Sequence, residues 1–291
     1  MSVTHTEPTR PPRPQPLGPD SLTWRYLGDW RYMLTATRWG ALQSLDPAFG
    51  AGAVQHSVIF KDPVDRLMRS MPPIIGVVYD GHEATATARW VRDQHPEIKG
   101  IDQNGKAYHA LNPETFFWAH ATFVDCLVTM VDTFDHRMSD EEKEQLYAES
   151  KRWWAMYGMT DRVVPPDWAA FRVYFDDYCA NVLQVTEGFT RALDIAGDTK
   201  GIAQTSFPPL LFKLVGPHVV RLSNLLMVGL LPTVVREELG YEWSAGDARR
   251  LRALAWLVRT TWPLVPRRLR YMTRARQAFD RTGEWPRARR R

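Results

Sequence analysis

Prolines and helix caps divide this chain into one helical run after another. No stretch alternates apolar and polar residues as a half-buried strand would. The strongest run covers residues 114–134, opened by Pro113 at the first-turn position that proline favours. Ser139 with Glu142 makes a capping-box start for a helix reaching about Tyr157. Pro165, Pro166 and Asp167 introduce another over 168–183, and Ser244 with Asp247 opens a last long one to about Trp262. Residues 219–235 are apolar but short, and they hold Arg221, Ser223, Asn224 and Pro232. They read as a buried core helix broken near Pro232 rather than a membrane span.

The first third of the chain follows the same rules. One or two helical stretches are predicted over residues 21–41, after which Gly50 and Gly52 break the pattern. A helix from Pro63 to Met71, N-capped by Asp62, is interrupted by Pro72-Pro73, and an apolar run resumes over 74–79. A further helix starts at Glu83 and ends at His95, because Pro96 pushes the residue before it out of the α region. Asp102-Gln103-Asn104-Gly105 has the chemistry of a small hairpin turn.

At 291 residues, 44% hydrophobic and with twelve Trp, the chain has enough apolar surface for one large core. The expectation is an all-α single domain over residues 21–285. A Pro-rich disordered tail (1–20) precedes it and a basic tail (286–291) follows. Two cysteines, Cys126 and Cys179, rule out a disulfide framework and a Cys-rich metal site, and a reducing cytoplasm is the expected setting. The N-terminus has no apolar signal core. The net charge of +4 is concentrated at the C-terminal end, in PRRLRYMTRARQ and RARRR. No nucleic-acid-binding motif accompanies it, so no nucleic-acid partner is expected. A solvated basic face is the simplest reading, with peripheral membrane contact as the second.

No GxSxG, P-loop, GxGxxG or HExxH motif is present. Three groups of residues can carry chemistry. His95 follows a helix face of small residues, Ala84, Ala88 and Val91, with Arg92 one turn away. A low face beside an imidazole can seat a flat macrocycle, and Arg92 can meet a propionate. The plainer reading is a histidine capping the helix dipole. His120 has Phe116, Phe117, Phe123 and Val124 at its i±3 and i±4 positions, so it is expected to be buried, as a core histidine or a ligand. Asp125 and Asp132 share its helix, exposed or anchoring arginines from elsewhere. Arg66, Arg69 and Ser70 share one helical face, suited to a carboxylate, a propionate or bound oxygen, or simply to water.

Taken in order, these fragments resemble one family. Tyr32-Met33-Leu34, Leu42-Gln43, Pro47, Gly50, Gly52 and His56-Ser57 come first. Asp62-Pro63, Arg66-Leu67 and Arg69-Ser70 follow, then Val78-Tyr79, Gly81, Val91-Arg92, His95, Ile98 and Gly100. Gly105, Tyr108-His109-Ala110, Pro113 and the block from Trp118 to Asp125 complete the set. The chain resembles the mpaB/rubber-oxygenase catalytic domain family. The likeness implies a globin-like helical core with extra flanking helices, haem b as cofactor, and oxidation of an apolar, isoprenoid-like substrate by dioxygen. It implies His95 as the proximal iron ligand, and it places Arg66, Arg69 and Ser70 near the distal haem face. His120, Thr122 and Asp125 would line or brace the pocket.

Rubber oxygenases carry a glutamate upstream of the arginine helix. Here that region reads Leu45-Asp46-Pro47-Ala48-Phe49-Gly50, with Asp46 the only carboxylate, which argues against rubber as substrate. Two alternatives stand beside the haem oxygenase: a non-haem metal enzyme using His95, His120 and a carboxylate such as Asp125, and a non-enzymatic haem- or lipid-binding protein.

Overall fold

The apolar run at the middle of the sequence is also the middle of the structure. The computed structural model describes residues 14–57, 63–197 and 209–286. Helix α6 (Pro113–Phe134) is capped by the Asn112 side chain and buries residues around its whole circumference, from Phe116 to Phe134. A helix apolar on all sides needs partners on all sides. They are α1 (Leu22–Tyr26), the 3-10 turn Trp30–Thr35, α2 (Ala36–Ser44), α7 (Asp140–Tyr157) and α12 (Ala245–Thr261). The remaining helices are α3 (Pro47–His56), α4 (Pro63–Tyr79), α5 (Ala84–Arg92), α8 (Trp168–Asn181), α9 (Glu187–Gly197), α10 (Pro209–Leu230), α11 (Thr233–Glu238) and α13 (Thr273–Thr282). The fold is all-α. Its one small sheet among the described residues is an antiparallel hairpin, β1 (Lys99–Ile101) and β2 (Ala107–His109), with Gly100 opposite Tyr108. The Asp102 carboxylate shapes its turn by accepting from the Asn104 and Lys106 amides.

Both capping boxes form, at Ser139/Glu142 and Ser244/Asp247. The chain also closes on itself. Glu149 of α7 is buried and accepts from the Leu22 and Thr23 amides, satisfying free donors at the start of α1. The Tyr79 hydroxyl accepts from the Gly28 amide and donates to the Trp24 carbonyl. At the far end Arg274 of α13 pairs with Asp80, and the Met272 amide donates to the Gly28 carbonyl. First and last helices therefore share one core with α4, around Trp24, Tyr79 and Phe279.

Four local expectations change. Gly50 and Gly52 do not break the chain but lie inside α3. A Cβ on Gly188 would sit 2.7 Å from the Gly50 carbonyl oxygen, so these glycines let α3 and α9 approach closely. Pro72-Pro73 does not interrupt α4, which runs on to Tyr79. Met71, Ile75, Val77 and Val78 are buried beside the prolines, and packing outweighs the lost backbone bonds. Helix α5 stops at Arg92, three residues before His95. The described part of the N-terminal stretch is docked, with Leu17 only 2% exposed and the Pro16 carbonyl accepting from Arg152. Residues 1–13, the expected cap Asp62 and the basic end from 287 lie outside the described residues.

Candidate functional site

The chain leaves α5 through Asp93 and turns before Pro96, with the His95 amide donating to the Arg92 carbonyl. The imidazole folds back over the helix end. Its Nδ1 lies 2.8 Å from the Val91 carbonyl oxygen, with the Arg92 carbonyl at 3.3 Å. A carbonyl only accepts, so Nδ1 carries the proton and, in the neutral ring, Nε2 carries the lone pair. Nε2 has no hydrogen-bond partner among the described residues. Burial lowers the pKa of His95 and the Arg66 cation lowers it further, against the two carbonyls, so the ring is neutral near pH 7. The edge of Phe116 packs against the ring at 5.7 Å between centroids. A fixed tautomer with a free Nε2 is the arrangement in which histidines bind metals. The hydrogen bond that caps α5 is the same one that orients the ring.

Arg66, on the facing helix α4, is half-buried. Burial and the neighbouring Arg69 both lower its pKa. The structure thus sets the Arg66 cation beside the neutral His95 imidazole, with Arg69 next to Arg66 on α4. Ser70 stays on the same helix but its hydroxyl donates to the Arg66 carbonyl at 2.7 Å. That back-bond occupies its one donor.

The other expected residues lie elsewhere. Arg92 does not reach toward His95: its guanidinium donates to Asp93 and to the Tyr157 carbonyl, closing the C-terminal end of α7. Ala88, like Ala84, is fully buried because α5 packs between α4 and α7, so the small-residue face is covered by helices rather than open for a macrocycle. Val91 is half-buried and contributes its carbonyl. His120 is a separate core residue, caged by Phe117, Trp153, Trp154 and Tyr157, and divided from His95 by Phe116 with Trp154 and Tyr157. Burial pushes its pKa down to about 3, and neither ring nitrogen makes a hydrogen bond of normal geometry. Thr122 accepts from Gln43 and donates to the Ala119 carbonyl. Asp125 is buried between Arg38 of α2 and Arg172 of α8 at 3.0 and 2.7 Å, and Arg38 also donates to the Leu230 carbonyl. Thr122 and Asp125 are therefore braces that tie four helices together. Asp46 caps α3 through the Phe49 amide and accepts from the Tyr178 hydroxyl, so the one carboxylate of its region is already engaged.

Sequence reasoning missed Phe116 as the neighbour of His95, and Arg38 and Arg172 as the partners of Asp125. No local signal marks these contacts, which join residues far apart in the chain. Among the described residues no three His, Cys, Asp or Glu side chains are placed to hold a metal ion. The alternative built from His95, His120 and Asp125 therefore lacks its ligand set. No helix among the described residues is long and apolar enough to cross a membrane.

A family model for the catalytic domain of ER-bound oxygenase mpaB/B'/rubber oxygenase matches residues 24–260. The chain belongs to this family. Its role is accordingly that of an oxygenase catalytic domain. The match covers all of the His95 region and the arginine face of α4, and it ends at the last turn of α12. No curated protein and no solved structure matches the chain.

Proposed function

We propose that this oxygenase uses haem b, held through His95, to oxidise an apolar, isoprenoid-like substrate other than rubber. The observation that carries the reading is the His95 tautomer: Nδ1–H is committed to the Val91 carbonyl, and Nε2 is left with a lone pair and no partner among the described residues. Haem b, when bound, supplies activation of dioxygen. The chain supplies the rest. The Val91 carbonyl holds the imidazole orientation, and burial with Arg66 keeps the ring neutral and able to bind a metal. Arg66, with Arg69 next to it on the same helix, offers a half-buried cation for a carboxylate of the porphyrin or for a polar group of the substrate. Phe116 packs its edge on the ring, with Trp154 and Tyr157 behind it. Rubber is the less fitting substrate because Asp46, the one carboxylate of the region, already caps a helix and holds a tyrosine hydroxyl.

The test is a pyridine haemochrome of purified protein, before and after incubation with haemin, followed by oxygen uptake with short isoprenoid hydrocarbons. The reading expects a haem band and substrate-dependent uptake. Protein that takes up no haemin sinks the cofactor. Haem binding with no uptake on any apolar substrate leaves a binding protein instead.

A further inference from the structure

Helix α12 has a buried side and an exposed side, and the exposed side carries large apolar residues among its arginines. Ala255 is buried, and Leu251, Leu254 and Val258 pack against the core. On the opposite side Trp256 is 66% exposed and Leu257 is 50% exposed. The helical backbone continues through the 3-10 turn Trp262–Leu264, and Leu264 there is 80% exposed. Leu257 and Leu264 are seven residues apart, two turns, so they share a face with Trp256 at its side.

Arginines frame this apolar strip. Residues 248–279 contain nine arginines and no acidic residue. Asp247 and Asp280, which bound the stretch, pair with Arg250 and Arg268. Arg249 and Arg252 are exposed on the turns before Trp256 and have no acidic partner among the described residues. Arg259 follows Trp256 by three residues, and its guanidinium donates to a backbone carbonyl, that of Asp132.

We propose that this face docks on an anionic phospholipid surface. Trp256, Leu257 and Leu264 enter the boundary between headgroups and acyl chains, while Arg249, Arg252 and Arg259 meet phosphates. Tryptophan and leucine flanked by arginines is the pattern of a helix lying in an interface. A nucleic acid would meet the same cations but would leave Leu257 and Leu264 in water, so the apolar strip favours lipid. The docking is independent of the haem reading, since it uses neither His95 nor Arg66.

The experiment is flotation of the full chain with vesicles of phosphatidylcholine alone and of phosphatidylcholine mixed with phosphatidylglycerol, at low and high salt. Binding is expected only with the anionic vesicles. Arg249→Gln with Arg252→Gln should weaken it about fivefold for each charge removed. Trp256→Ser with Leu264→Ser should weaken it by about tenfold or more. All four positions are exposed, so circular dichroism should be unchanged. Failure of the parent chain to float overturns the proposal. So does flotation that survives loss of Trp256 and Leu264, or equally tight binding to duplex DNA at the same salt, either of which marks a general polyanion surface.

Discussion

His120 should make the protein sensitive to mild acid through burial alone. Its ring lies in a cage of Phe117, Trp153, Trp154 and Tyr157, and burial pushes its pKa down to about 3, with the Ser150 backbone opposing only partly. In the unfolded chain it titrates at about 6.5. Between those values the unfolded chain binds the proton and the folded one does not. Stability therefore falls as pH drops below about 6.5, by about 1.4 kcal/mol per unit. From pH 8 to pH 5 that is about 2 kcal/mol from this residue. His120→Phe keeps a ring in the cage and removes the titration. It should also be neutral or stabilising at pH 8, because it replaces two buried nitrogens that make no hydrogen bond of normal geometry. Urea unfolding of both proteins at several pH values gives the comparison, in which other histidines cancel. A variant that keeps the full loss between pH 8 and pH 5 would refute the argument. A variant that loses bound haem would show that His120 belongs to the cofactor site.

Three further perturbations probe the frame around the site. Asp125→Ala should cost about 3–5 kcal/mol in urea unfolding, because Arg38 stays buried without its partner, while Arg172→Ala should cost about 1 kcal/mol or less from its more exposed side. Gly188→Ala should cost about 1–3 kcal/mol, since its Cβ would press on the Gly50 backbone rather than on a movable side chain. For Asp80, burial pushes the carboxyl up, but Arg274 and Thr87 more than offset it and hold it below the usual carboxylate range. Its contribution is present above the unfolded value and lost as pH falls through the folded one. Asp80→Asn should therefore be the less stable protein at neutral pH, by about 1 kcal/mol, with the difference closing in acid.

The elements with local signals were legible from residue order. Pro113, Ser139/Glu142 and Ser244/Asp247 mark helix starts by chemistry confined to one turn, and Pro232 marks the end of α10 in the same way. What local signals could not report is what lies opposite. Pro72-Pro73 sits inside a helix because buried neighbours hold it, and Gly50 serves a helix crossing whose other half is Gly188. At the site, His95 and the arginine face of α4 were visible as residue types in a familiar order. The partners were not. Arg92 is drawn to the Tyr157 carbonyl and Ser70 to its own helix, while the ring of His95 is fixed by the carbonyl of Val91, a group every residue has.

The central claim is that His95 Nε2 is a cofactor ligand. Its most direct test is the haem absorption spectrum and haem content of the parent chain, His95→Ala and His120→Phe, each purified after loading with haemin. The account predicts one haem per chain in the parent and in His120→Phe. It predicts loss of that haem in His95→Ala, with the Soret band restored by added imidazole. Full haem content with an unchanged spectrum in His95→Ala would contradict it.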